Sequence, residues 1–415
     1  MNDKKLYTLP EEWQWCRLGD VCQINPSKLS TRDLSDDLEV SFVPMAAVSD
    51  VRGEITAPQR KTLREVKSGF TNFTEGDVLF AKITPCMENG KAALVGELVN
   101  HICYGSTEFF VLRCSEKILN RFVYHLVRWQ IFRDEAKSVM SGSVGQQRVS
   151  KKFLLNYKLP LPPLDEQQRI VDLLDKMFAD LDEAKALAQG VVDGSELRRA
   201  AILHKAFTGE LTKLWRDEHG ITLDSWQKKF LSDILISSKQ KTNDFASSNL
   251  KYVGLENMEK NGGQISFQAA DSVRSTKNIF HVGDLLYGKL RPYLDKHGVA
   301  KFDGVCSTDI LVFSANDKSL NEFINYFFSH STFIEYAVVN SKGINLPRVS
   351  EKIVLSAEIS LQPLAEQKEI VHLLDDLLGR EQRTTDLARK TLERIELMKK
   401  SILVRAFRGK LNIKN

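Results

Sequence analysis

The residues equipped for chemistry are dispersed along the chain, and none of the groupings that make a reaction centre forms around them. Glu65-Val66-Lys67, Glu135-Ala136-Lys137 and Glu183-Ala184-Lys185 repeat the acid-x-Lys triplet that a metal-dependent nuclease carries on a strand. The last two fall in helical patterns, and in a chain with 27% charged residues such triplets recur by chance. A nuclease at Glu65 and Lys67 is one rival reading, and it expects Mg2+-dependent cleavage by the isolated chain. Neither a G-x-x-x-x-G-K phosphate cradle nor the G-x-G turn of dinucleotide and adenosyl sites occurs. Pro162-Pro163 stands between Leu161 and Leu164, where an amino-methylating site needs Asn or Asp before the prolines and an aromatic after them. The eight histidines form no H-x-x-x-H pair, and His101 and His125 read as surface or core residues. Cys16, Cys22, Cys86, Cys103, Cys114 and Cys306 include no C-x-x-C, which argues against a zinc site or a disulfide framework. The sequence therefore assigns this chain no catalytic residue, no metal and no cofactor.

What it does offer is basic and polar side chains in glycine-bearing loops, at positions matched between its two halves. Lys82, Lys91 and the loop Ser141-Gly142-Ser143-Val144-Gly145-Gln146-Gln147-Arg148 answer Lys289, Arg291, Lys296 and the loop Ser341-Lys342-Gly343-Ile344-Asn345-Leu346-Pro347-Arg348. Such residues suit DNA, because Arg pairs bidentately with guanine and Gln or Asn with adenine, while Lys and backbone N–H hold phosphate. Solvated loops show the same residue types; recurrence at matched positions is what favours binding. The candidate DNA-binding set is Lys82, Lys91, Ser141, Gln146, Gln147 and Arg148 in the first half. In the second it is Lys289, Arg291, Lys296, Lys342, Asn345 and Arg348.

The matching extends to the elements that must carry these loops. PPLDEQQRIVDLLDKMF at 162–178 and QPLAEQKEIVHLLDDLL at 362–378 agree at nine of seventeen positions, at a shift of 200 residues. At the same shift Ile202, Leu203, Ala206, Phe207, Gly209 and Leu211 recur as Ile402, Leu403, Ala406, Phe407, Gly409 and Leu411. Upstream the shift drifts, as loops of unequal length require: Ser106-Thr107-Glu108 answers Ser307-Thr308-Asp309, and Gly76-Asp77-Val78-Leu79-Phe80 answers Gly283-Asp284-Leu285-Leu286-Tyr287. The chain is one two-part unit written twice, with a period too long for a solenoid.

In each copy the first part mixes short β-branched and aromatic runs (40–48, 77–83 and 108–114; 251–258, 284–290 and 309–315) with a helical pattern (120–139; 321–339). This predicts α+β, a twisted sheet with a helix on it. The second part starts at a proline break and carries a four-three seam. In copy one the seam runs through Ile170, Leu174, Met177, Leu181, Ala184, Ala188, Val191, Ser195, Arg198 and Ile202. Copy two gives Ile370, Leu374, Leu377, Glu381, Thr384, Ala388, Thr391, Ile395, Met398 and Ile402. Such a seam wants a partner helix, and the other copy is at hand; an ordinary amphipathic helix lying on its own domain is the alternative. Gly209 and Gly409 are natural helix stops. Gly190 and Gly194 interrupt the first copy, with a capping box available at Asp193–Glu196. The expected organisation is a globular part at 1–158, a helical part at 159–212, a second globular part at 213–358 and a second helical part at 359–415.

Over 415 residues, 58 basic side chains stand against 54 acidic ones and 42% of residues are hydrophobic. That excludes disorder and leaves any basic surface local. No stretch approaches the roughly 18 apolar residues of a membrane span, and the N-terminus lacks an apolar leader, so a cytoplasmic protein is expected.

LPEEWQWCRLGDV at the start, G-D-V-L-F-x-K, the repeated P-L-x-E-Q-x-x-I and A-F-x-G-x-L, and Trp215-Arg216 together resemble the specificity subunits of type I restriction-modification systems over essentially the whole length. The resemblance implies two pseudo-symmetric α+β target-recognition domains, separated by two long antiparallel helices. Each domain would read one half of a bipartite asymmetric DNA site, while the helices set the gap and dock two methyltransferase subunits. Ile170, Leu174, Met177, Leu181, Ile202 and Phe207, with Ile370, Leu374, Leu377, Ile395, Ile402 and Phe407, are the expected spacer and partner-binding positions. S-adenosylmethionine would belong to the modification subunits, and ATP and Mg2+ to a restriction and translocase subunit. Two alternatives stay open, a bipartite system whose partner fuses methyltransferase and nuclease, and a coiled-coil adaptor that binds proteins.

Overall fold

The computed structural model describes residues 7–143, 145–244, 250–270, 275–317 and 320–411. Val144 of the first loop, and 271–274 of a stretch that differs between the copies, lie outside them. The chain divides into two compact units, residues 1–187 with 390–415, and residues 188–389. Each unit holds one globular part and one end of each long helix. The segments 159–212 and 359–415, which the sequence reading packs together as one spacer, are each divided between the two units.

In the first unit Gln14–Arg17 pairs antiparallel with Lys158–Leu161, bracketing the globular part just ahead of the proline break. Between these strands lie two four-stranded sheets where a single sheet is expected. One runs Cys22–Ile24, Phe109–Cys114, Val78–Ala81, Ala92–Leu94; the other runs Gln59–Thr62, Glu39–Val43, Cys103–Gly105, Thr71–Phe73. The reason is in the strand Val78–Ala81, which is buried at all four positions. Successive side chains of a strand point to opposite faces. Val78 and Phe80 meet the helices, while Leu79 and Ala81 meet the second sheet through Val43 and Phe73. The second unit repeats this plan: Leu285 and Tyr287 face helices, whereas Leu286 packs with Val253 and Phe280 of a five-stranded sheet.

The helix expected over 120–139 is two, Asn120–Arg128 and Gln130–Ser138, because Trp129 takes extended backbone with ψ 128°. Its ring turns inward and stacks on Phe407 at 5.0 Å. In the second unit Asn321–Phe328 and Ser331–Val339 flank His330 at ψ 136°, whose ring lies 5.2 Å from Phe207. The A-F-x-G motif of each copy therefore completes the globular core of the other copy.

The long helices, Leu164–Asp193 continued by Ser195–Phe207, and Leu364–Phe407, start directly after Pro163 and Pro363. Each ends just before a glycine in the left-handed region, Gly209 at φ +85° and Gly409 at φ +64°. Gly190 sits within the helix. Gly194 N–H donates to the Gly190 carbonyl at 3.1 Å and Arg198 N–H to that of Gly194 at 3.1 Å, so the ladder carries through with only a local relaxation. No side-chain cap forms there. In the first unit Lys185 pairs with Glu396 at 2.5 Å and Lys399 with Asp182; in the second Arg198 pairs with Glu381 at 2.8 Å. The ends held in the first unit run antiparallel, since 182 meets 399 and 185 meets 396.

The predicted seam is corrected in its second half. Leu378 and Thr385 are buried where Leu377 and Thr384 were expected, and Met398 is half-exposed. Leu374, Ala388, Ile395 and Ile402 of the same seven-residue count stay buried, so only the series of Leu377 and Thr384 moves, by one residue, to the neighbouring side of the stripe. The expected spacer positions lie inside the chain's own packing. Ile170, Leu174, Ile370, Leu374, Ile395, Ile402 and Phe407 are buried within this chain's own cores, and Met177, Leu181, Ile202, Phe207 and Leu377 are half-buried. A surface offered to a partner must use other faces of these helices.

The P-L-x-E-Q motif is a joint between helix and globular part. Gln167 is fully buried; its Oε1 accepts from Leu119 N–H at 2.9 Å, and its Nε2 donates to the Lys117 and Pro162 carbonyls. Glu366 is fully buried too, taking hydrogen bonds from Arg216 Nη1 and Thr212 Oγ1 at 2.7 Å each and from Trp226 Nε1 at 2.9 Å.

Among the described residues neither ring nitrogen of buried His330 has a hydrogen-bond partner. Burial, with His204 alongside, pulls this imidazole down to about 4. The unfolded chain then binds a proton that the folded unit does not, so stability falls as pH drops from about 6.5 toward 4. His330→Phe has no proton to gain. Urea midpoints measured near pH 7 and about pH 5 should converge in this variant while they separate in the parent.

Candidate nucleic-acid interface

In the first unit the loop 141–148 folds back on itself, with Ser141 and Arg148 bridged through their backbones, and it docks beside Lys82. Lys82 N–H donates to the Glu108 carbonyl, and Val149 N–H to the Lys82 carbonyl. The Arg148 guanidinium binds Glu108 in a fork, with Nε to Oε2 at 3.0 Å and Nη2 to Oε1 at 2.9 Å. That pairing holds the Glu108 carboxyl below its ordinary range and raises the guanidinium. The second unit repeats each tie: Lys289 N–H to the Asp309 carbonyl, Val349 N–H to the Lys289 carbonyl, and Arg348 to Asp309 at 3.2 Å.

The candidate residues fall into two sets. Arg148 and Arg348 anchor loops through a carboxylate and remain partly exposed. Lys91 and Lys296 are half-buried, and their ammonium groups donate to the Met45 and Leu255 carbonyls at 3.0 and 2.6 Å, pinning a short turn in each unit. Lys289 Nζ similarly donates to the Thr308 carbonyl, and Lys82 Nζ lies over the Phe110 ring. Ser141, Gln146, Arg291, Lys342 and Asn345 are exposed, whereas Gln147 is half-buried. Sequence reasoning missed the carboxylate partners of the two arginines. The signal was present, since Glu108 and Asp309 recur at matched positions beside Ser-Thr, as Arg148 and Arg348 do before Val-Ser.

Glu65, the acid of the rival nuclease triplet, closes a capping box on the helix Leu63–Val66, accepting from Thr62 N–H and Oγ1 at 2.8 Å each. Lys67 pairs with Asp36. Among the described residues no group of three His, Cys, Asp or Glu side chains could hold a metal ion. Nor is any described helix long and apolar enough to cross a membrane. The six cysteines are free thiols, and Cys22 and Cys114 face each other across paired strands with sulfurs 3.7 Å apart.

Two copies of one α+β fold, each presenting a glycine-bearing loop fixed to a sheet, define a duplicated recognition protein. The family model of the type I restriction modification DNA specificity domain matches residues 10–189 and 224–397, one match per copy, and the chain belongs to that family. It is 26% identical over 432 residues to the type I restriction enzyme EcoDI specificity subunit of Escherichia coli, covering 97% of this chain and 89% of the relative. To the EcoEI specificity subunit of Escherichia coli it is 38% identical over 183 residues, 44% of this chain and only 30% of that relative's length. The fold is similar to that of the HsdS subunit from Thermoanaerobacter tengcongensis, with a TM-score of 0.68 at 22% identity over 98% of this chain and 99% of the other.

Proposed function

We propose that this chain is the DNA sequence-recognition subunit of a type I restriction-modification complex and performs no catalysis itself. Each globular part reads one half of a bipartite asymmetric site. The spacer helices fix the distance between halves and dock two methyltransferase subunits, which bring S-adenosylmethionine; restriction and translocase subunits bring ATP and Mg2+. The observation that carries the reading is the duplication itself, with a family match on each copy and the same loop architecture built twice from different side chains. Exposed Gln146 and Asn345, at different positions of the two loops, suit adenine, and Arg148 and Arg348 suit guanine or phosphate. Outward leucines on the helices, Leu187 and Leu397 in the first unit and Leu197 in the second, suit docking of the modification subunits.

Exchanging residues 1–158 for those of a family member with a different target, then mapping adenine methylation by the complete modification complex, tests it. One half of the methylated motif should change while the other half and the gap persist. Change in both halves, or in neither, would overturn the assignment.

A further inference from the structure

Resting on that reading, we propose that a cleft in the first unit is a second DNA contact, gripping successive backbone phosphodiesters without reading bases. The cleft has a volume of 600 Å³ and lies between the 50–52 turn, Asn89-Gly90, the helices around Arg128 and the paired helix ends of this unit. Seven Arg and Lys side chains line it against four Asp and Glu.

Three of the four acids are already engaged. Asp175 takes hydrogen bonds from His125 at 2.9 Å and from Arg121, Asp182 pairs with Lys399, and Glu396 with Lys185. Two guanidinium groups, by contrast, have no carboxylate partner among the described residues. Arg128 Nη2 donates to the Asp50 and Val51 carbonyls at 3.3 and 3.1 Å, and Arg133 donates to the Glu88 carbonyl and Gln130 Oε1 at 2.6 and 2.8 Å. Among the described residues Arg128 Nη1 and Arg133 Nε have no hydrogen-bond partner. Burial and the neighbouring Arg128 charge both disfavour the Arg133 cation. Like charges that are part-buried and hydrogen-bonded only to carbonyl oxygens, with Arg128 also lying over the Tyr124 ring, call for a counter-anion. Gly53, at φ +69°, is what lets the turn close over Arg128, since a Cβ there would fall 1.6 Å from Nη1. Lys400 adds an exposed ammonium to the lining.

Phosphodiester is the favoured anion because the cleft runs into the candidate interface along the chain. The helix Gln130–Ser138, which carries Arg133 into the cleft lining, leads along the chain into the 141–148 loop. The second unit's own cleft, of 1180 Å³, is lined by six acids against four bases, so the grip belongs to the first unit alone.

The test uses the full chain in its modification complex, titrated with duplexes carrying or lacking the methylated motif between about 50 and 200 mM salt. Arg128→Gln/Arg133→Gln should flatten the slope of log K against log salt by about 2, and Lys400→Gln by about 1, equally on both duplexes. Arg128→Lys should keep the parental slope. Lys400 has no part in the fold's internal ties, so its variant reports even if the arginine pair disturbs the turn. Unchanged slopes in folded variants overturn the proposal, as does loss of modification-subunit assembly with unchanged slopes, which would make the occupant an acidic protein segment. Absence of motif-dependent binding by the unsubstituted complex would instead bring down the functional reading, and the cleft assignment with it.

Discussion

Replacing Glu366 with Ala destabilises the second unit by about 3–5 kcal/mol, a large share of the roughly 5–15 kcal/mol that holds a domain together. Arg216 is 6% exposed and Glu366 not at all, and they meet at 2.7 Å. Without the carboxylate the guanidinium keeps Thr212 Oγ1 and the Gly209 carbonyl but is a buried cation with no counter-charge, and the Trp226 indole N–H loses its acceptor. Urea unfolding followed by tryptophan fluorescence measures this directly. The double variant Arg216→Met/Glu366→Leu should recover most of the loss, since an apolar pair of similar volume removes the desolvation cost along with the attraction. A loss below about 1 kcal/mol in Glu366→Ala, the range of an exposed pair, would refute this account.

Phe407→Ala should cost about 3–5 kcal/mol in the first unit and leave the second intact. The ring is fully buried, stacked on Trp129 at 5.0 Å and edge-on to Phe122 at 5.2 Å. Phe207→Ala should do the reverse, because Phe207 packs on Phe323 and Phe327. Limited proteolysis of the two variants separates the cases. Cleavage appearing first in the globular part of the mutated copy, instead of the opposite one, would contradict the crossed packing. Under the proposed function, Phe407→Ala costs the complex the half-site read by residues 1–158.

What could be read in advance was what local chemistry determines. Pro163 and Pro363 mark the helix starts, Gly209 and Gly409 the ends, and the buried strand runs in 77–83 and 284–290 announce themselves through continuous apolar residues. Those same runs carried a message that went unread, since a strand apolar on both faces needs a second sheet and an alternating one does not. Seam positions at Leu374, Ala388, Ile395 and Ile402 held, while those at Leu377 and Thr384 passed to Leu378 and Thr385, a choice made by what packs against the helix and not by the local spacing. For the site, residue type located the loops but not the partners. Whether Lys91 meets a phosphate or the Met45 carbonyl depends on a tertiary approach across 46 residues, which no local pattern encodes. Arg128 and Arg133 were invisible for the same reason, because their lack of a counter-charge exists only once the turn has closed over them.

The crossed placement of the A-F-x-G motifs inverts the usual order of completion during translation. The globular residues of the first unit emerge earliest, yet its core lacks Ile402, Leu403, Ala406, Phe407 and Leu411 until the end of the second long helix has been made. Every residue of the second unit has been synthesised by position 389. At about 5–20 residues per second the interval to residue 411 is on the order of one to four seconds. The part of the chain made first is thus the last able to finish folding, and for that interval it presents an unfilled apolar slot beside Trp129.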